Sequence, residues 1–133
     1  MSLYKYTVRT SRKQEFINLD HYIQDALEQS NVKSGLLTVF CPHTTAGITI
    51  NENADPDVKV DLELGLNKAF PNDPDYVHFE GNSDGHMKSS LIGASETLII
   101  ENSQPIFGTW QSVYFSEFDG PRNRTVYIKI IEG

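Results

Sequence analysis

His43, His78 and His86 stand at the end of an apolar run or in segments rich in turn formers. Neutral imidazoles are common ligands of zinc and similar ions, and three of them with one position left for water or substrate make a catalytic centre. Their spacing matches no compact metal motif such as HExxH, so spacing alone also allows unrelated surface or core histidines. His21, the fourth, opens a polar helical stretch and reads as solvated. Asp84, two residues before His86, can take an imidazole's second N–H and orient the ring, or simply shape the Ser-Asp-Gly turn.

Other groups can share such a site. In TTAGITINE, residues 44–52, alternation sets Ile48 and Ile50 on one face and Thr45, Gly47, Thr49 and Asn51 on the other. Asn51 can then hold an oxygen and Glu52 can act as a base, unless both only lead into the helix that follows. Arg122 and Arg124 offer two guanidinium forks to a phosphate or carboxylate, or else pair with Glu117 or Asp119. Trp110 supplies an aromatic wall or a core side chain. Asp57 and Asp61, one helical turn apart, read as a solvated acidic face or a cation site. Cys41 continues an apolar strand and reads as packing rather than as a nucleophile.

The elements that must position these groups are legible from periodicity. LYKYTVR at 3–9 alternates like a half-exposed strand, and EFINL at 15–19 is expected to return beside it. Tyr22, Ile23, Ala26 and Leu27 form one stripe of a helix over 20–30, and GLLTVFCP at 35–42 reads as a buried strand. Asp55-Pro56 is a helix start, and Val58, Leu62, Leu66 and Phe70 repeat every four residues up to Pro71. Residues 71–86 read as a long loop, 87–93 as a helical turn and 97–102 as a strand. Two long strands, 106–118 and 124–131, are expected to form a hairpin-like pair through DGPRN. The layout is α+β with a mainly antiparallel sheet.

A chain of 133 residues fits one domain with an ordinary core. Its net charge of −7 argues against a broad nucleic-acid footprint. One cysteine and the lack of a long apolar run point to a cytoplasmic protein with no membrane span.

Three blocks, PHTTAGITINENAD, HFEGNSDGHMKSSLIG and GTWQSVYFSEFDGPRNR, resemble the YjbQ-like family, also called the secondary thiamine-phosphate synthase family. The resemblance runs through nearly the whole chain. It implies a single YjbQ-like domain over 1–133, an antiparallel β-sandwich or half-barrel with two main helices, and a homotrimer with sites near subunit boundaries. It implies a divalent metal, of zinc, nickel, manganese, iron or magnesium, at His43, His78 and His86. Asn51, Glu52, Asp84, Lys88, Trp110, Glu117, Arg122 and Arg124 fall at family-like positions. Under this reading Glu52 and Asp84 are catalytic, while Asn51, Lys88, Trp110, Arg122 and Arg124 bind a small phosphorylated substrate. The implied reaction joins hydroxymethylpyrimidine diphosphate to thiazole phosphate and releases pyrophosphate. The alternatives are a metal-dependent hydrolase with Glu52 as its base, and a trimeric metal- or metabolite-binding protein without turnover.

Overall fold

The computed structural model describes residues 3–133. In chain order these form β1 (Leu3–Arg9), β2 (Glu15–Asn18), α1 (Asp20–Ser30), β3 (Gly35–Phe40), β4 (Ala46–Glu52), α2 (Pro56–Ala69), α3 (Ser83–Ile92), β5 (Ser95–Glu101), β6 (Gln104–Pro105), β7 (Gln111–Glu117) and β8 (Asn123–Glu132). Five strands make one sheet in the order β1-β8-β3-β5-β6, and three make a second in the order β2-β7-β4. Every pair is antiparallel.

The two sheets are linked by three long strands that bend. β1 leads into β2 through 10–14, β3 into β4 through 41–45, and β7 into β8 through 118–122. Because β8 pairs with β1 and β3, while β7 pairs with β2 and β4, all three bends lie side by side at one corner. The result is a curled half-barrel.

Two expectations about pairing are corrected here. Residues 15–18 pair with β7, not with β1, and β7 and β8 enter different sheets rather than forming a hairpin. Both errors have one physical cause: a bend at a sheet corner uses the same turn-forming residues as a tight hairpin.

The main core lies between the sheets and takes in the stripe Ile23, Ala26 and Leu27 of α1, with Val113 and Phe115 of β7. β7 is buried on both faces, so its alternate residue Tyr114 joins Phe16, Leu66 and Phe118 in a second cluster beneath α2. The predicted start of α2 is present: Asp55 caps it by accepting the Asp57 N–H at 2.9 Å, and Pro56 takes the first helical position.

The segment expected as loop up to residue 86 becomes helical at Ser83, giving a third full helix in place of a short turn. Its apolar pattern is weak because one side packs through small residues. Ser89 donates to the Ala46 carbonyl at 2.7 Å, and a Cβ on Gly47 would stand 2.6 Å from the Gly93 carbonyl oxygen. The Thr45, Gly47, Thr49 and Asn51 face of β4 is therefore covered by α3 at Gly47.

Candidate active site at the sheet corner

A strand that bends out of a sheet strips backbone groups of their ladder partners, and each must find another. Continuing the β3–β8 register beyond Phe40↔Tyr127 would set Pro42 opposite Thr125, but proline has no N–H and the chain turns away. His43 Nε2 fills the gap by accepting the Thr125 N–H at 2.9 Å. Accepting there places the ring proton on Nδ1. Thr10 Oγ1 accepts the Arg122 N–H at 2.7 Å and donates to Glu117 Oε1 at 2.7 Å.

Glu117 ties the corner together. Its carboxylate accepts the N–H groups of Phe118 and Asp119 at 3.1 and 3.2 Å and receives the Arg124 guanidinium through Nε and Nη2. Arg124 Nη2 also donates to Thr45 Oγ1 at 2.9 Å. The side chains of Arg124 and Glu117 are only 5% and 0% exposed. This is a desolvated ion pair in which the carboxylate and the Nε and Nη2 of the guanidinium are hydrogen-bonded, leaving only Arg124 Nη1 without a partner among the described residues.

Outside this buried knot lies a polar cleft of about 300 Å³, bounded by His43, Thr44 and Thr45 from one bend, Asp119, Arg122 and Arg124 from another, and Glu80, Asn82 and His86 from the start of α3. Asn82 Nδ2 donates to Asp119 Oδ2 at 2.8 Å, which fastens the helix start to the corner. Arg122 is half exposed. Its Nε and Nη2 donate to the backbone and carboxylate of Asp119 at 2.8 and 3.0 Å, leaving Nη1 without a partner among the described residues. The ring nitrogens of His86 are likewise without a hydrogen bond among the described residues.

His43 is half-buried, and desolvation, with the nearby Arg124 charge, lowers its pKa below the ordinary 6.5. The folded chain then holds the ring neutral over a range where the unfolded chain protonates it. Stability contributed by the neutral ring is full above about pH 6.5 and falls as the pH drops from there through the folded pKa. His43→Asn should flatten the slope of the urea midpoint between about pH 7.5 and about pH 5. An unchanged slope would assign the pH dependence to another group.

The candidates from sequence separate into three places. His43, His86, Arg122 and Arg124 meet at the cleft. Lys88 and Asp84 line a different hollow with Gln14 and Asn67. Lys88 is buried and donates to Gln14 Oε1 and Asn67 Oδ1, both at 2.6 Å, while burial lowers its pKa. Asp84 does not orient His86; its Oδ2 accepts from Lys13 at 3.2 Å. Asn51, Glu52 and Trp110 lie at the far end of the β4–β7 pair, since Glu52 pairs with Gln111 while Ala46 pairs with Glu117 at the corner. Six residue steps along a strand are about 20 Å. There Asn51 Oδ1 accepts the Glu52 N–H and the Glu52 carboxylate accepts the Asp55 N–H, so both serve the entry to α2.

His78 is exposed and stands edge to face with His86, ring centres 5.2 Å apart. His43, with its proton on Nδ1 and its Nε2 lone pair engaged, has no lone pair left for a metal. Among the described residues no three His, Cys, Asp or Glu side chains are grouped to hold a metal ion. The three-histidine ligand set does not fit the geometry of one chain. Asp57 and Asp61 are exposed, as a solvated face requires. Cys41 is buried, and burial pushes its thiol up to about 11, which suits an inert packing group.

Thr10, Thr44, Glu80 and Asn82 were not distinguishable as site residues by sequence. Glu117 carried a signal: a carboxylate inside the apolar run VYFSEF must either face water or find a buried cation.

A curled antiparallel half-barrel with three helices and a polar cleft at its bend defines an α+β protein of one architecture. The chain belongs to the YjbQ-like family, UPF0047, whose pattern it matches over residues 4–133. It is 50% identical over 129 residues to a UPF0047 protein of Methanocaldococcus jannaschii, covering 97% of this chain and 94% of that one. It is 48% identical over 125 residues to the UPF0047 protein YugU of Bacillus subtilis, covering 93% and 95%. A crystal structure of a YjbQ/UPF0047 protein from Clostridium acetobutylicum superposes with a TM-score of 0.94 at 53% identity, covering 96% of this chain and 99% of that one. A protein from Aeropyrum pernix gives the same TM-score of 0.94 at 29% identity, with both chains covered completely at 100%.

Proposed function

We propose that the corner cleft binds the phosphate groups of a small phosphorylated substrate, and that the chain is a transferase of the secondary thiamine-phosphate synthase type. The observation that carries this reading is the immobilised Arg122, anchored along one edge by Asp119 with Nη1 uncommitted, beside the free imidazole of His86 and the Nδ1–H of His43. Fixed donors of this kind are what a departing pyrophosphate requires. A volume of about 300 Å³ suits a diphosphate.

In the reaction that the family resemblance implies, the thiazole nitrogen forms a bond to the methylene carbon of the pyrimidine. The carbon–oxygen bond to pyrophosphate breaks and its electron pair leaves with the diphosphate. The nucleophile has no proton to give up, so the step needs charge stabilisation more than a base. That demand falls on Arg122, His43 and His86 rather than on Glu52 or Asp84. A hydrolase using Glu52 as base has no matching geometry within one chain.

The homotrimer belongs to the same proposal. It rests on the family resemblance alone. The buried free Cys41 fits a reducing cytoplasm. No helix among the described residues is long and apolar enough to cross a membrane.

Mixing the purified protein with hydroxymethylpyrimidine diphosphate and thiazole phosphate should yield thiamine phosphate and pyrophosphate in equal amounts. Binding of both compounds without product would overturn the transferase reading and leave a metabolite-binding protein.

A further inference from the structure

Next to the polar cleft lies a larger pocket of about 630 Å³, lined by Phe70, His78, Met87 and Leu91, with His86 shared between the two. It is built by one face of α3: Ser83, His86, Met87, Ser90 and Leu91 recur at three- and four-residue spacing, while Gly85 and Ser89 turn toward the sheet. Phe70, which ends α2, forms the opposite wall. Leu91 is 63% exposed. Together with Phe70 and Met87 it gives the concavity the mainly apolar lining of a binding site.

We infer, resting on the phosphate reading above, that this pocket holds an uncharged aromatic ring belonging to the same ligand whose phosphate sits in the corner cleft. Three features favour a flat ring. His78 and His86 already stand edge to face at 5.2 Å, the geometry that a further aromatic ring extends. Met87 offers a thioether to a ring edge, and Phe70 a further aromatic contact. His86 borders both volumes, so a ring joined to a phosphate by a short link can reach from one into the other. This places the ring away from Trp110.

The test compares two phosphate monoesters of equal charge, methyl phosphate and phenyl phosphate, by calorimetric titration of the full chain. Phenyl phosphate should bind roughly 10–30-fold more tightly. Ser90 is exposed, and among the described residues its side chain makes no hydrogen bond. Ser90→Trp, with its fold checked by circular dichroism, should fill the pocket and abolish the phenyl preference while methyl phosphate binds as before. Equal affinity of the two esters for the wild-type chain would overturn the ring pocket and leave the phosphate site standing. Binding of neither ester would remove both. Equal affinity together with dissociation of an oligomer by Leu91→Asp would instead assign the pocket to a second copy of the chain.

Discussion

Replacing Glu117 with alanine should cost about 3–5 kcal/mol of folding stability, because it strands the Arg124 guanidinium without its counter-ion inside the corner. The loss is larger than for an ordinary surface pair because both side chains are almost fully buried, so water replaces little of what is removed. It also removes one acceptor each from the N–H groups of Phe118 and Asp119 and from the Thr10 hydroxyl, of which only the Asp119 N–H has no second acceptor among the described residues. For a chain of this size the melting temperature should fall by roughly 10–20 °C. Urea unfolding of Glu117→Ala beside the wild type measures it, and a loss under about 1 kcal/mol would mean that the corner does not depend on this pair.

Arg122→Ala should behave in the opposite way. Its pair with Asp119 is half exposed and local, so removing it should shift stability by under about 1 kcal/mol. Arg122 nevertheless brings an uncommitted Nη1 to the cleft on a half-exposed side chain, whereas Arg124 is nearly buried. A hydrogen bond to a charged group contributes about 1.5–3 kcal/mol, so pyrophosphate affinity should fall roughly 10–100-fold. Two arginines two residues apart thus divide the work: Arg124 holds the bend and Arg122 meets the ligand. Unchanged affinity in Arg122→Ala would contradict that division.

That division was not visible in the sequence, where Arg122 and Arg124 looked like one paired grip. Alternation gave β1, and the Asp55-Pro56 cap with its four-residue repeat gave α2 correctly, while the strand expected from 106 begins only at Gln111. The α+β class and the family were likewise legible, the latter from three blocks in order. The bends were not. A corner between sheets and a hairpin share the same vocabulary of Asp, Gly, Pro and Asn, and only the pairing partners tell them apart. Once the bends are placed, the role of His43 changes, because a backbone N–H left open by Pro42 claims the lone pair that a metal would need. Asn51 and Glu52 were read as neighbours of His43 from closeness in sequence, yet an extended strand carries them about 20 Å away. The alternative reading of those two residues, as polar lead-in to the helix, is the one their hydrogen bonds show.

The most direct test is a titration of isotopically labelled protein with pyrophosphate, followed through backbone amide resonances. The predicted result is a saturable shift confined to residues 43–45, 82–86 and 119–125, which enclose the cleft. No shift, or shifts only around Asn51, Glu52 and Trp110, would contradict a phosphate site at the sheet corner.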